Sequence, residues 1–224
     1  IIQSQVLRPM DMNFPHGSPP DDPTVSPRPP EGLDPDPFRQ FHVWFDMARR
    51  ASEADPAAMT LATCSRDGRP SARIVLLKQA DEHGFVFYTN RESRKGRELL
   101  ENPRAALVFH WPSLLKQVRI EGTVEPVPDE EAGRYFQTRP RDSQVGAWAS
   151  LQSQVLDNRE TLLARFREYE IQFAGREVPR PPHWGGFRVI PHQIEFWQSR
   201  PGRLHDRWLY HLLEGRWLIE RLYP

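Results

Sequence analysis

Apolar residues recur along this chain with two periods, and the changes of period mark out its elements. Phe38, Phe41, Phe45 and Ala48 fall three or four apart, which puts one apolar stripe on a helix starting near Asp36. Ala57 to Cys64 then reads as an apolar strand, and the Asp-Gly of SRDGRP turns it back into a second strand, SARIVLLKQ. GFVFYTN makes a third. SRKGRELLEN shifts to a short helix with Ser93 as its N-cap, and RAALVFHW and LLKQVRIEGTVEPV return to strand.

Helices take over in the middle third. PDEEAGRYFQTRP opens with proline and acids, as helix starts do, and Pro140 should end or kink it. DNRETLLARFREYEIQFA predicts a longer amphipathic helix with Leu162, Leu163, Phe166 and Tyr169 on one side. The last third goes back to strands: GGFRVIPHQIEFWQ, DRWLYHLL, a Glu-Gly turn and RWLIERLYP. Strands this short and closely spaced predict an α+β fold whose small antiparallel barrel draws on both halves of the chain. Residues 1–35 are crowded with proline and acid and offer little to bury. They read as an extended or disordered tail, leaving 36–224 as a single domain.

Composition narrows the chemistry. Lysine and arginine total 30 and aspartate and glutamate 30, so no overall field draws in nucleic acid or an acidic membrane. Any bound anion has to be met by a local basic cluster. Cys64 is the single cysteine, which excludes an intrachain disulfide and a multi-cysteine metal site; within its apolar run it reads as a buried structural thiol. No apolar stretch approaches the roughly 20 residues that cross a bilayer as a helix, and a cytoplasmic location is the default expectation.

Basic and hydroxyl residues gather in a few short segments. Arg73 and Lys78 bracket RIVLLK; Ser93, Arg94 and Lys95 open a helix; Arg139, Arg141 and Ser143 lie in TRPRDSQ; Arg203, His205 and Arg207 lie in RLHDR. Free N–H groups at a helix start make SRK a reasonable phosphate seat, and arginine adds planar bidentate hydrogen bonds. Any one cluster alone reads more simply as solvated surface. Tyr135 and Arg139 share a helical face that would present a hydroxyl and a guanidinium to one anion, or merely stack on the surface. Trp197 reads as filler at the barrel end, and His205 as a hydrogen-bonded structural histidine, as readily as either reads as part of a site. The chain has no G-x-G-x-x-G, P-loop, H-E-x-x-H or G-x-S-x-G. Residue types and spacing alone name no reaction and no metal.

Taken in order, these segments resemble the pyridoxamine 5′-phosphate oxidase family from about Asp36 to Pro224. The carriers are RIVLLK (73–78), FYTN followed by SRK (87–95), KQVRIEG (116–122), YFQTRPRDSQVGAWAS (135–150), QS (152–153), WGGFRV (184–189), IEFWQ (194–198), RLHDR (203–207) and ERLYP (220–224). The resemblance implies an FMN-binding split β-barrel, antiparallel and Greek-key-like, with peripheral helices. It also implies a homodimer with the flavin at the subunit interface. By that likeness Arg73, Ile74, Val75, Leu76, Leu77, Lys78, Tyr88, Thr89, Arg94, Lys95 and Gln117 hold FMN from one subunit. Gln152, Ser153, Trp197 and Arg207 complete the site from the other. Lys78, Tyr135, Arg139 and Ser143 bind the substrate phosphate, while Arg203, Leu204 and His205 lie at its pyridine ring, with Arg203 and His205 as the catalytic pair. The implied reaction moves a hydride from C4′ of pyridoxine 5′-phosphate or pyridoxamine 5′-phosphate to flavin, gives pyridoxal 5′-phosphate, and passes the electrons to dioxygen as hydrogen peroxide.

Two features sit awkwardly with the family pattern. Arg73 and Lys78 are five apart, so a regular strand would point them to opposite faces unless a bulge realigned them. The family's Arg-x-x-Tyr lid element has no counterpart in 1–35, where Arg8 is followed by Pro9, Met10 and Asp11. Two other readings stay open: a split-barrel flavoprotein acting on another small molecule, and a non-catalytic protein that binds FMN or pyridoxal phosphate.

Overall fold

The first helix sits inside the curl of a single sheet and fills it with aromatic rings. In this computed structural model, which describes residues 32–51 and 53–224, the expected tail up to residue 31 and the Arg8 segment lie outside the described residues. Helix α1 (Pro37–Arg50) is capped by Asp36, whose Oδ1 accepts from the Phe38 N–H at 2.8 Å. Pro37 fits the first turn because an N–H there would have had no helical partner. The apolar stripe then packs inward. Phe41 meets Phe85 and Phe109 edge-on, with centroids 5.0 and 5.1 Å apart, and Trp44 meets Phe196 at 5.2 Å.

Among the described residues nine strands form the sheet: β1 (Ala58–Cys64), β2 (Pro70–Leu76), β3 (Gln79–Asp81), β4 (Gly84–Asn90), β5 (Arg104–Trp111), β6 (Lys116–Pro126), β7 (Trp184–Gln198), β8 (Asp206–Leu213) and β9 (Arg216–Arg221). Every pairing is antiparallel. The order is β2-β1-β5-β6-β7-β4-β3, with β8 on β7 and β9 on β8. Strands from the two halves of the chain are interleaved, since β7 lies between β6 and β4. Past the end of β2, the Leu77 N–H donates to the Ala57 carbonyl at 2.9 Å and the Lys78 N–H to the Val86 carbonyl at 2.8 Å. That short connection ties β1 to β4 and draws the sheet into a half-barrel. It also resolves the spacing of Arg73 and Lys78, because Lys78 lies beyond the strand and alternation no longer governs it. β3 is too short for its periodicity to reveal it. Where β6 and β7 shift register at Glu121 and Gly122, a Cβ on Gly122 would lie 2.2 Å from the Ile190 carbonyl oxygen, so the strands approach this closely only around glycine.

Four more α-helices among the described residues flank the sheet: α2 (Arg94–Glu101), α3 (Asp129–Gln137), α4 (Arg141–Ala149) and α5 (Arg159–Gln172). Pro140 ends α3 as expected and also starts α4, a helix that the pattern of RDSQVGAWA does not announce because it has no clear apolar stripe. On α5, Leu162, Phe166 and Tyr169 are half-buried, but Leu163 is exposed. One residue on from Leu162 is about 100° around the helix, which carries Leu163 off the packed face. Cys64 is half-buried rather than fully enclosed, and its Sγ accepts from the Asn102 amide at 2.9 Å. Among the described residues no helix is long and apolar enough to cross a membrane.

Candidate active site

A phosphate-sized basic cluster forms where α2 begins. Ser93 caps the helix: its Oγ accepts from the Gly96 N–H at 3.3 Å and from Lys95 Nζ at 3.2 Å. Lys95 also donates to Thr89 Oγ1 at 3.2 Å and to Gln152 Oε1 at 3.1 Å. One turn further on, the buried carboxylate of Glu98 gathers the hydroxyls of Thr63 and Ser71, Arg73 Nη2 at 3.3 Å and Arg94 Nε at 2.8 Å. Burial alone would push Glu98 up, but the Ser71 and Thr63 hydroxyls and Arg94 overcome it and hold the carboxyl down at about 2. Burial, helped by the charge of Arg73, lowers the pKa of Lys95. Arg73 and Arg94 share one carboxylate and Lys95 bonds only to neutral groups, which leaves two positive charges in excess. That surplus, beside the free N–H groups of a helix start, matches a phosphate dianion.

Next to this cluster lies a cavity of about 460 Å³ whose walls include Ile74, Leu76, Lys78, Tyr88, Lys95, Tyr135, Arg139, Ser143, Gln152 and Trp184. The break at Pro140 makes this grouping: Tyr135 and Arg139 leave the end of α3, and Ser143 enters from the first turn of α4. Tyr135 stacks on Tyr88 with centroids 4.1 Å apart, and Tyr88 stacks on Trp184 at 5.3 Å. Tyr88 lies flat because its cross-strand partner is Gly186, where a Cβ would come within 2.8 Å of the ring. Burial pushes the Tyr88 phenol up to about 12, with Glu131 and Tyr135 adding to the effect. The Arg139 guanidinium lies 4.7 Å over the Trp184 ring, and its buried Nη1 finds no partner among the described residues. Burial lowers its pKa. Within the run from Arg73 to Lys78, Val75 packs against the core and Leu77 is buried in it, whereas Ile74 and Leu76 are exposed.

A second group sits at the other end of β7. Register places Gln117 opposite Trp197 and Trp197 opposite Arg207. Glu195 grips Arg207 bidentately at 2.7 and 3.1 Å, which raises the pKa of the arginine. His205 lies 4.7 Å from the Trp197 ring, and its Nδ1 accepts the Arg200 backbone N–H at 3.1 Å. The neutral ring therefore carries its proton on Nε2. Arg203 is exposed, with a left-handed φ of 61°, and Leu204 beside it is exposed too. Asp206 braces this loop from Arg200 at 2.7 Å and Arg221 at 2.6 Å.

Within this chain the expected ligand set is therefore divided into two groups. Gln152 hydrogen-bonds with Thr89 and Lys95, and Gln117 lies opposite Trp197, which lies opposite Arg207. Pairing KQVRIEG with IEFWQ as antiparallel neighbours would have revealed the second. Ser153 follows Gln152 with a φ of 73°, exposed. Trp184 and Trp197 are separated by nearly the whole of β7, on the order of 40 Å if fully extended. Glu98 and Trp184 were in no expected set. Glu98 had a signal, four residues after Arg94 on one helix face, whereas Trp184 had only its place in WGGFRV.

Residues 46–173 match the family model described as pyridoxamine 5′-phosphate oxidase, and residues 184–224 match the pyridoxine 5′-phosphate oxidase C-terminal dimerisation region. Proteins named pyridoxine/pyridoxamine 5′-phosphate oxidase are similar over most of their length. One from Myxococcus xanthus is 58% identical over 192 residues, covering 86% of this chain and 93% of its own. One from Gloeothece citriformis is 56% identical over 191 residues, 85% of this chain and 89% of its own. Among solved structures, PhzG of Burkholderia lata in complex with tetrahydrophenazine-1-carboxylic acid aligns with a TM-score of 0.83 at 33% identity, covering 89% of this chain and 99% of that one. A pyridoxamine 5′-phosphate oxidase-related, FMN-binding protein of Nostoc punctiforme shares the fold at a TM-score of 0.67 and 18% identity, covering 84% and 98%.

Proposed function

This chain belongs to the pyridoxamine 5′-phosphate oxidase family, and on that premise we propose that it oxidises pyridoxine 5′-phosphate and pyridoxamine 5′-phosphate to pyridoxal 5′-phosphate. FMN is the cofactor, and dioxygen takes up the electrons and leaves as hydrogen peroxide; with the amine substrate, oxidation gives an imine that water hydrolyses to the aldehyde and ammonia. The observation that carries the reading is a pair of adjoining anion sites on a chain with no net charge. Arg73, Arg94 and Lys95 make one; Lys78, Tyr135, Arg139 and Ser143 make the other, on the walls of the same cavity. Two phosphorylated molecules in contact need that arrangement.

The first cluster fits the FMN phosphate by its charge surplus and its helix start, with Thr89 and Gln152 alongside. Bound there, FMN supplies a two-electron acceptor for the hydride that leaves C4′ of the substrate. The remaining work falls to the chain. The Arg139 guanidinium, Lys78 Nζ and the Tyr135 and Ser143 hydroxyls hold the substrate phosphate, so that binding energy becomes orientation. His205 meets the pyridine ring as a donor through Nε2–H, and the Arg203 guanidinium stabilises negative charge developing there. Trp197 lies at the far end of β7 from Trp184, Arg207 pairs with it from β8, Arg203 and His205 stand in the connection between the two strands, and all four fall inside the region matched as a dimerisation segment. The proposal therefore has them reach the cavity of a second subunit, with flavin at the interface.

Anaerobic titration of the FMN-loaded protein tests this. Pyridoxine 5′-phosphate and pyridoxamine 5′-phosphate should bleach the oxidised-flavin absorbance, air should restore it, and unphosphorylated pyridoxine should leave it unchanged. Flavin that binds but stays oxidised would overturn the reaction. It would favour a different substrate, as the likeness to PhzG allows, or a carrier without turnover.

A further inference from the structure

Three arginine sites on this chain are held in two different ways. Glu98 pairs with Arg73 and Arg94, and Glu195 pairs with Arg207. Arg139 instead rests on aromatic faces: its Cζ is 4.7 Å from the Trp184 ring centroid and 5.5 Å from that of Phe136. Trp184 is buried and wedged, parallel to Tyr88 at 5.3 Å and edge-on to Phe136 at 5.0 Å, and Arg180 donates to its carbonyl oxygen. A carboxylate partner would occupy the guanidinium N–H groups and cancel the charge. A ring face supports the cation from one side and leaves the N–H edge free. Arg139 lines the cavity with Lys78, Tyr135 and Ser143, and its buried Nη1 finds no partner among the described residues.

We propose that Trp184 is a positioning residue for substrate phosphate recognition: its indole face holds the Arg139 guanidinium in place on the cavity wall, so that its N–H edge meets a phosphate oxygen there. The inference rests on the oxidase reading above and adds to it a residue that acts only through Arg139.

A double-mutant cycle tests it on FMN-loaded protein, with steady-state kinetics on pyridoxamine 5′-phosphate for wild type, Trp184→Leu, Arg139→Gln and the double variant. Trp184→Leu should raise KM roughly threefold to thirtyfold, the range of a cation–π contact, with kcat and flavin content close to wild type. Trp184→Phe, with a weaker ring, should fall between. The double variant should be no worse than Arg139→Gln alone, because a residue acting through Arg139 has nothing left to hold. Unchanged KM in a flavin-loaded Trp184→Leu variant, or KM increases that multiply in the double variant, would overturn the proposal. If the leucine variant fails to load flavin, the cycle is read on Trp184→Phe by the same rule. Wild-type protein that holds FMN without any turnover overturns the functional reading and this inference with it. Wild-type turnover with independent variants overturns this inference alone.

Discussion

Glu98 is a buried acid inside an anion site, and its charge state follows from its neighbours. Ordinary glutamate titrates at 4.5, but here the carboxyl is held at about 2 by the Ser71 and Thr63 hydroxyls and Arg94 working against burial. A depressed carboxylate contributes stability that is complete above about pH 4.5 and lost as pH falls toward 2. Glu98→Gln should therefore lower unfolding free energy at pH 7 by about 3 kcal/mol. In denaturant titrations at a series of pH values, the gap between wild type and variant should close between pH 4.5 and 2. A constant gap would show that Glu98 acts through shape rather than charge. The same variant frees Arg73 and Arg94 to move. The basic residues of this site were legible as a family pattern, but the acid that orders two of them was not. Its only mark was helical spacing from Arg94, a weak signal on an exposed-looking helix.

At the scale of elements, the start of α2 joins folding to binding. Ser93 Oγ takes both the Gly96 N–H and Lys95 Nζ. Ser93→Ala should cost about 1 kcal/mol as a lost N-cap. Because Lys95 loses an anchor as well, FMN dissociation measured by flavin fluorescence should become several-fold faster. A fall in melting temperature with unchanged flavin release would separate the two roles. Elements with a clear period were readable from the chain alone: the stripe of Phe38, Phe41 and Phe45 gave α1, and Ser93 announced α2. β3 and α4 were not, since one is too brief to alternate and the other packs without an apolar stripe. The neighbours of Gln152 were also out of reach, because they are decided by contacts far apart in sequence.

For the whole molecule, the proposal that the two residue groups separated by β7 meet across a dimer makes a prediction about pairs of chains. A Lys95→Met chain lacks part of the cavity cluster, and an Arg203→Leu chain lacks the group at the opposite end of the strand. Each alone should be nearly inactive. Refolded together from denaturant, they should regain about a quarter of wild-type activity, because half of randomly paired dimers are mixed and each mixed dimer keeps one intact site of two. No recovery would mean that both ends of β7 serve the same subunit's site. The geometry of this one strand also has a genetic meaning. Under the proposed shared site, a chain damaged at both ends would spoil its own cavity and its partner's, so a mixed dimer holding one such chain would have no working site. Co-expressed equally with an intact copy, that allele would leave about a quarter of the activity rather than half, and would behave as dominant.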